Sequence, residues 1–358
     1  MLEETAKFGM NAALHRQIPS LAISLGDPAG IGPEVVLKAL ALAPVRERCR
    51  PIVHGSRKLI EGTYWQLRER SVAPLAAPDS FEIVDLPAGG PVAAGIVAAG
   101  AGDLSFAYLQ SAIEAVQAGQ AAGIVTAPIH KSAWHLAGHR YPGQTEVLAH
   151  AFGSERYGML FAARPATGSW ALRVLLATTH IPLAQVSASL SPQLLRDKLQ
   201  LLFDSLKRDF GLDEPLVAVA GLNPHAGENG QIGSEEREWL TALIAEWQQR
   251  GYRIKGPVPP DTLWIDAARA WAGEPAAACD GYLALYHDQG LIPVKMLAFD
   301  QAVNTTIGLP IVRTSPDHGT AFDIVGQGVA RHQSMVAAIE LAAELAGRRA
   351  SLSVAHAR

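Results

Sequence analysis

Three histidines stand a few residues beyond apolar runs of strand length. His180 closes Ala177-Thr178-Thr179-His180, His225 sits in Asn223-Pro224-His225-Ala226-Gly227-Glu228, and His287 follows Tyr286 in Tyr286-His287-Asp288-Gln289-Gly290. Neutral imidazoles ligate zinc, cobalt, nickel and similar divalent ions, and three protein ligands leave a position open for water or a substrate hydroxyl. The separations of 45 and 62 residues match no local zinc signature, so spacing does not bring the three together, and a single histidine at a strand end is more often simply hydrogen-bonded. Asp288, beside His287, and Asp261, after the pair Pro259-Pro260, are carboxylates able to orient an imidazole or accept a proton through water. Asp261 reads equally well as a cap or turn residue.

A second set of residues suits an anion. Lys295, Asn304 and Arg313 punctuate the otherwise apolar stretch Val294–Thr314, where isolated cations need a reason. An anionic ligand supplies one: arginine grips phosphate or carboxylate with two hydrogen bonds, lysine acts as a point charge, and asparagine donates from its amide. Structural ion pairs are the alternative. Gln144 and Thr145, in Tyr141-Pro142-Gly143-Gln144-Thr145-Glu146, could donate to an oxyanion at a helix start, or Thr145 could be a cap and the nearby Lys131 a solvated charge. The segment Gly26-Asp27-Pro28-Ala29-Gly30-Ile31-Gly32 is either a phosphate cradle or a tight turn; it lacks both the Gly-Lys-Ser/Thr ending of a nucleotide loop and the dinucleotide spacing. The polar, glycine-rich run Asp317–Gly328 could wrap an adenosine or form a plain connection.

Positioning these groups falls to an alternation of strands and helices. Short apolar runs at Leu21–Leu25, Gly123–Ala127, Leu172–Thr178, Leu216–Gly221 and Tyr282–Tyr286 predict strands buried on both faces, as in a parallel sheet. Helical periods follow over Pro33–Leu42, Asp103–Ala118, Ser191–Asp209, Ser234–Gln249 and Gln333–Leu345, with Pro33 near a first turn and Ser234 a candidate cap. Ala88–Gly102 reads as a loop and Ala267–Ala278 as a surface insertion. The class is α/β, with almost every unusual residue at the carboxyl end of a strand, where open α/β sheets bind ligands.

Composition narrows the function classes. With 358 residues, 49% of them apolar, 18% charged and a net charge of −4, the chain is a globular protein of one large or two modest domains. Lys and Arg are scattered, which argues against nucleic acid. Cys49 and Cys279 are too few for a disulfide framework or thiolate cluster. No apolar run is long enough for a membrane span, and the first residues lack the apolar core of a secretory signal; a cytoplasmic location is expected.

Taken together, GDPAGIGPE, ATTH, NPHAGE, YHDQG, VNTTIGLP and RTSPDHGTAFD occur in the order found in the 4-hydroxythreonine-4-phosphate dehydrogenase family, and the resemblance spans roughly nine tenths of the chain. It implies two α/β/α lobes of the isocitrate/isopropylmalate dehydrogenase type with the active site in the cleft between them: a first lobe from 19–130 plus 290–358, a second from 131–289, and an N-terminal extension over 1–18. It implies metal ligands at His180, His225 and His287, substrate contacts at Gln144, Thr145, Lys295, Asn304 and Arg313, and supporting roles for Asp261 and Asp288. The segment His318, Gly319, Thr320, Ala321 and Asp323 resembles the loop by which isopropylmalate and isocitrate dehydrogenases hold the adenine end of their cofactor. The implied reaction is oxidation of 4-phosphooxy-L-threonine by NAD or NADP with one divalent metal (zinc, magnesium or cobalt), then decarboxylation to 3-amino-2-oxopropyl phosphate in pyridoxine 5'-phosphate biosynthesis. Family members that oxidise phosphorylated four-carbon sugar acids (threonate or erythronate 4-phosphate) offer the alternative. The family is homodimeric with a shared active site, so the three histidines need not come from one chain. It often has histidine where Gln144 stands, so a neutral amide replaces a potentially cationic donor there.

Overall fold

In the computed structural model, which describes residues 18–274 and 276–356, strands and helices alternate around one mixed sheet. Of the extension expected over 1–18, all but Ile18 lies outside the described residues. The strands are β1 (Ser20–Ser24), β2 (Arg50–Gly55), β3 (Glu82–Asp85), β4 (Gly123–Thr126), β5 (Gly158–Ala163), β6 (Leu172–Leu176), β7 (Val217–Ala220), β8 (Ile254–Val258), β9 (Gly281–Ala284), β10 (Val303–Ile307) and β11 (Val312–Pro316). Their order is β3-β2-β1-β4-β11-β10-β5-β6-β9-β7-β8.

The five predicted strands are present, shifted by no more than two residues at either end, because each is a short apolar run buried on both faces. Adjacent residues of one strand serve opposite cores: Ile23 and Val125 join the cluster containing Met335 and Ile339, whereas Ala22 and Ile124 join Leu109 and Ile113. The sheet is parallel towards both edges and mixed at its centre. β5 runs antiparallel to both β6 and β10, and β10 antiparallel to β11. The chain between β10 and β11 is only Gly308–Ile311, and such a short connection can only turn back on itself; Gly308, at φ +90°, supplies the left-handed residue it needs. β10 and β11 escape the apolar-run signal because VNTTI and VRTSP are half polar.

Two expectations about loops are corrected. The helix expected from Asp103 begins at Ala99 and takes in the end of the presumed Ala88–Gly102 loop. A Cβ on Gly102 would lie 2.1 Å from the Ala133 carbonyl oxygen, so this glycine permits a close helix-to-backbone contact within a helix. The presumed insertion Ala267–Ala278 overlaps a helix, Ile265–Trp271, whose Ala267 is wholly buried. Ser191 caps the helix Pro192–Arg208 by accepting a hydrogen bond from the Leu194 amide at 3.2 Å. Ser234 caps nothing; the segment after it opens as a π turn, Glu236–Leu240, before the α-helix Thr241–Gln249. The last helix runs on from Gln333 to His356.

Candidate active site

A cleft of about 490 Å³ opens where β4, β10 and β11 meet the start of the helix Gln144–Ala151 and the ends of β6 and β9. Its floor is Arg313, on β11 beside β4. Arg313 is 4% exposed and forms no ion pair among the described residues. It donates to Thr126 Oγ1 at 2.8 Å, Thr306 Oγ1 at 3.1 Å and, more weakly, Thr145 Oγ1 at 3.5 Å, while its Nε has no partner among the described residues. Burial pushes the guanidinium down to about 10, with Glu146 opposing the shift, so it remains a cation at neutral pH. A buried cation held only by hydroxyls leaves its charge for a ligand.

Polar atoms without protein partners surround it. Gln144 Nε2 donates to the Ala127 carbonyl at 3.2 Å, and its Oε1 is unpartnered; so is Asn304 Oδ1. Lys295 is differently placed: it is not in the cleft wall but donates to Asp317 Oδ2 at 2.6 Å, and Asp317 is in the wall. Two further lysines were not singled out by the sequence reading as ligand contacts. Lys131, which read as a solvated charge, lines the cleft, and so does Lys198, which donates to the Tyr157 carbonyl at 2.9 Å and whose ammonium is depressed by burial. Lys198 sits on a helix whose period explains it as an ordinary surface residue, and only the packing turns it inward.

His180 and His287 face each other across the mouth of the cleft, with ring centroids 5.6 Å apart and planes inclined by 45°. They follow the neighbouring parallel strands β6 and β9. Burial, with smaller contributions from Lys131 and His287, lowers the His180 imidazole from its ordinary value and keeps it neutral. His287 Nδ1 lies 2.7 Å from Asp288 Oδ1, which fixes the ring and leaves Nε2 for a ligand. The donor chemistry of this pair suits a divalent cation.

His225 does not join them in this chain. It is exposed, with Nδ1 2.6 Å from Glu228 Oε1, and among the described residues no three metal-binding groups converge. The loop that carries it is left-handed from His225 to Asn229, four of the five residues being other than glycine. Left-handed backbone costs such residues roughly 1–2 kcal/mol each, so strong anchors are required. The buried Glu236 is one: Oε1 accepts from the amides of Leu222 and Asn223, both at 2.8 Å, and Oε2 from Asn223 Nδ2 at 2.8 Å. Gln289 is another, accepting from the Leu285 amide and donating to the Gly221 carbonyl, each at 2.7 Å. The backbone leading to His225 is thereby tied to the turn that bears His287. Asp261 is exposed on the turn after β8 and does not line the cleft.

The Gly26–Gly32 segment is a structural turn. The amides of Asp27, Gly30 and Ile31 bond to the carbonyls of Pro128, Asp27 and Thr320, and that of Ala29 to Asp27 Oδ1, so these four are spent within the fold. A Cβ on Gly26 would lie 2.4 Å from the Pro128 carbonyl oxygen and one on Gly30 2.9 Å from Thr320 Cβ. The turn is thus a bed for the loop that begins at Asp317. Within that loop His318 and Gly319 line the cleft, Thr320 is buried against Gly30, Ala321 is left-handed at φ +41°, and Asp323 is exposed. Burial lowers the His318 imidazole. At the loop's far end Lys38, wholly buried, donates to Glu34 at 2.7 Å and to the carbonyls of Gly328 and Ala330 at 2.8 and 2.9 Å.

Comparisons with known proteins bear on this arrangement. The profile of the family described as "Pyridoxal phosphate biosynthetic protein PdxA" matches residues 47–342. The chain is 57% identical over 337 residues to a 4-hydroxythreonine-4-phosphate dehydrogenase of Synechococcus sp. (strain JA-2-3B'a(2-13)), covering 93% of this chain and 98% of that one. The crystal structure of 4-hydroxythreonine-4-phosphate dehydrogenase from Klebsiella pneumoniae matches with a TM-score of 0.76 at 37% identity, over 92% of this chain and 98% of that one. A terephthalate 1,2-cis-dihydrodioldehydrogenase from Burkholderia xenovorans LB400 matches with a TM-score of 0.59 at 28% identity, over 91% and 98%.

Proposed function

Because the chain belongs to the PdxA family of pyridoxal phosphate biosynthetic proteins, we propose that the cleft is its active site and that the substrate is gripped there through its phosphate. The protein is a dehydrogenase of 4-hydroxythreonine-4-phosphate serving pyridoxine phosphate biosynthesis. The observation that carries the assignment to this cleft is the buried, unpaired Arg313 lying in the same cavity as the facing pair His180 and His287.

In this reading Arg313, with Thr145, Gln144 and Asn304, binds the anionic groups of the substrate, and Lys295 adds charge from behind Asp317. His180, His287 and a His225 would hold one divalent cation, zinc, magnesium or cobalt, the third ligand coming from a second copy of the chain. A cation so held would supply Lewis acidity to the substrate's secondary hydroxyl and to the ketone that replaces it. NAD or NADP would accept the hydride of that carbon, and Asp288 or Asp261 would take the hydroxyl proton through water. The resulting ketone is β to the substrate carboxylate, whose loss as CO₂ yields 3-amino-2-oxopropyl phosphate. The run His318, Gly319, Thr320, Ala321 and Asp323 is assigned to the cofactor, its position beside the cleft being in keeping with hydride transfer there.

Ile292, Met296 and Phe299, spaced along one side of the helix His287–Ala298 and its end, are all more than half exposed. Such a stripe beside the histidines supports a homodimer that completes the site. The lobes 19–130 plus 290–358 and 131–289 would meet at the pairing of β10 with β5. No helix among the described residues is long and apolar enough to cross a membrane, and a cytoplasmic location is part of the proposal. The test is reduction of NAD or NADP, side by side, with 4-phosphooxy-threonine, 4-phospho-threonate and 4-phospho-erythronate, with and without chelator. Activity confined to the sugar acids would overturn the substrate assignment, and indifference to chelation would overturn the metal.

A further inference from the structure

Back to back with the cleft, on the opposite face of the sheet, lies a second cavity of about 350 Å³. The alternation of β5 and β10 sets the two apart: Phe161 and Asn304, paired in register, face the cleft, whereas Ala162 and Val303, the next pair, face the second cavity. Its walls are largely apolar, with Leu42, Phe210, Val336, Ala337 and Leu341. No part of the dehydrogenase reading uses it.

Its charges do not balance. Three guanidiniums line the cavity, those of Arg48, Arg164 and Arg173, against two carboxylates, Glu340 and Glu344. Both carboxylates are already engaged: Glu344 takes Arg164 in a two-point contact at 2.7 and 2.8 Å, and Glu340 lies 3.6 Å from Arg48. Arg173 is left over. It is 7% exposed, its NH1 reaches only the Ala171 and Asp280 carbonyls, and its Cζ lies over the Phe210 ring, 4.8 Å from the centroid. Its Nε has no partner, and among the described residues it forms no ion pair. Burial, reinforced by Arg164 and Arg348, pushes this guanidinium down to about 10, with the more distant Asp280 and Glu344 opposing. His332, the other basic group in the wall, is lowered by burial and carries no charge to offset. A buried guanidinium with no carboxylate in contact is costly, and its fork is shaped for one.

We propose that this cavity is a second ligand site, which binds a small carboxylic acid with an apolar body, its carboxylate on Arg173 and its body between Phe210 and the Val336–Leu341 face of the last helix. One surplus positive charge and apolar walls select a monoanion over a phosphate dianion, which would bring one more charge than the cavity can neutralise.

The test is isothermal titration calorimetry on the full chain with 3-phenylpropionate, its neutral amide and inorganic phosphate as probes. The acid should bind saturably, at least tenfold more tightly than the amide, and phosphate should not compete with it. Arg173→Met should abolish the preference for acid over amide. Should that variant fold poorly, Ala337→Phe fills the cavity while leaving Arg173 in place, and should weaken binding of the acid at least tenfold. Equal affinity for acid and amide, no saturable binding of the acid, or undiminished binding to Ala337→Phe would each overturn the proposal; the last would place the acid in the cleft instead.

Discussion

Lys295 donates to Asp317 at 2.6 Å, and this contact joins the helix that begins at His287 to the loop that begins beside the cleft. The lysine that reads in the sequence as an isolated cation is already paired, which leaves Arg313 as the proposed principal anion receptor. Replacing Arg313 by Met should lower kcat/KM by roughly 100-fold, the worth of a lost charge-assisted contact of about 3 kcal/mol. Arg313→Lys should recover little, since one ammonium cannot span Thr126 and Thr306 from the same stem. Lys295→Met should cost about tenfold or less. Steady-state kinetics with the phosphorylated substrate decides; an Arg313→Met enzyme with unchanged KM and kcat would remove the anion site from this cleft.

The separation of His225 from the other two histidines makes a complementation experiment decisive. His180→Ala and His225→Ala homodimers should each be inactive. If a site draws His180 from one copy and His225 from the other, a mixed dimer has one site lacking both and one site intact. Random mixing should then restore about a quarter of wild-type activity. No recovery after confirmed exchange would assign the ligands to a single chain.

Glu236 holds the strained His225 loop by three hydrogen bonds. Glu236→Ala leaves two partly buried amides unpaired and should cost about 1–3 kcal/mol of stability. It should also weaken divalent-cation binding by more than tenfold, as measured by equilibrium dialysis. A variant with lower stability and unchanged cation affinity would show that the loop's conformation is independent of metal binding.

Lys38 and Glu34 form a buried ion pair, both side chains essentially inaccessible. Removing one partner of such a pair typically costs about 3–5 kcal/mol. Lys38→Met should therefore destabilise strongly in urea and, by freeing Gly328 and Ala330, raise KM for the cofactor more than for the substrate. Lys38→Met combined with Glu34→Gln should recover part of the stability. A cofactor KM that does not move would separate this end of the loop from cofactor binding.

His54, on β2, is 1% exposed, with Nδ1 2.8 Å from Ser111 Oγ. Burial pushes its imidazole down to about 4, Glu82 opposing, from an ordinary 6.5. The unfolded chain therefore takes up a proton between those values that the folded chain refuses, and stability present above pH 6.5 falls as pH drops toward 4. Between pH 7.5 and 4.5 the loss from this residue is roughly 2–3 kcal/mol. Urea titrations at the two values should show a smaller loss in His54→Gln by that amount; equal losses would mean that His54 does not titrate in this window.

Much of this was legible in the chain itself. The strands that end near His180 and His287 are short apolar runs, and runs buried on both faces announce themselves without any partner. Gly26, Gly30 and Gly32 could be seen to mark a turn, though not that the amides of Asp27 and Ile31 between them are spent on Pro128 and Thr320. The PdxA resemblance rests on ordered motifs, a one-dimensional property. Tertiary structure alone decided the rest. Antiparallel β5 and β10 depend on pairing between distant segments, and in β10 the polar run Asn304–Thr306 hides the strand signal, Asn304 facing the cleft. Whether Arg313 is paired, whether Lys198 points inward, and which histidines face each other are questions of distance across the fold. Sequence spacing carries no such distances: His180 and His287 meet because β6 and β9 are neighbours in the sheet, and His225, exposed on the left-handed loop after β7, does not join them in this chain.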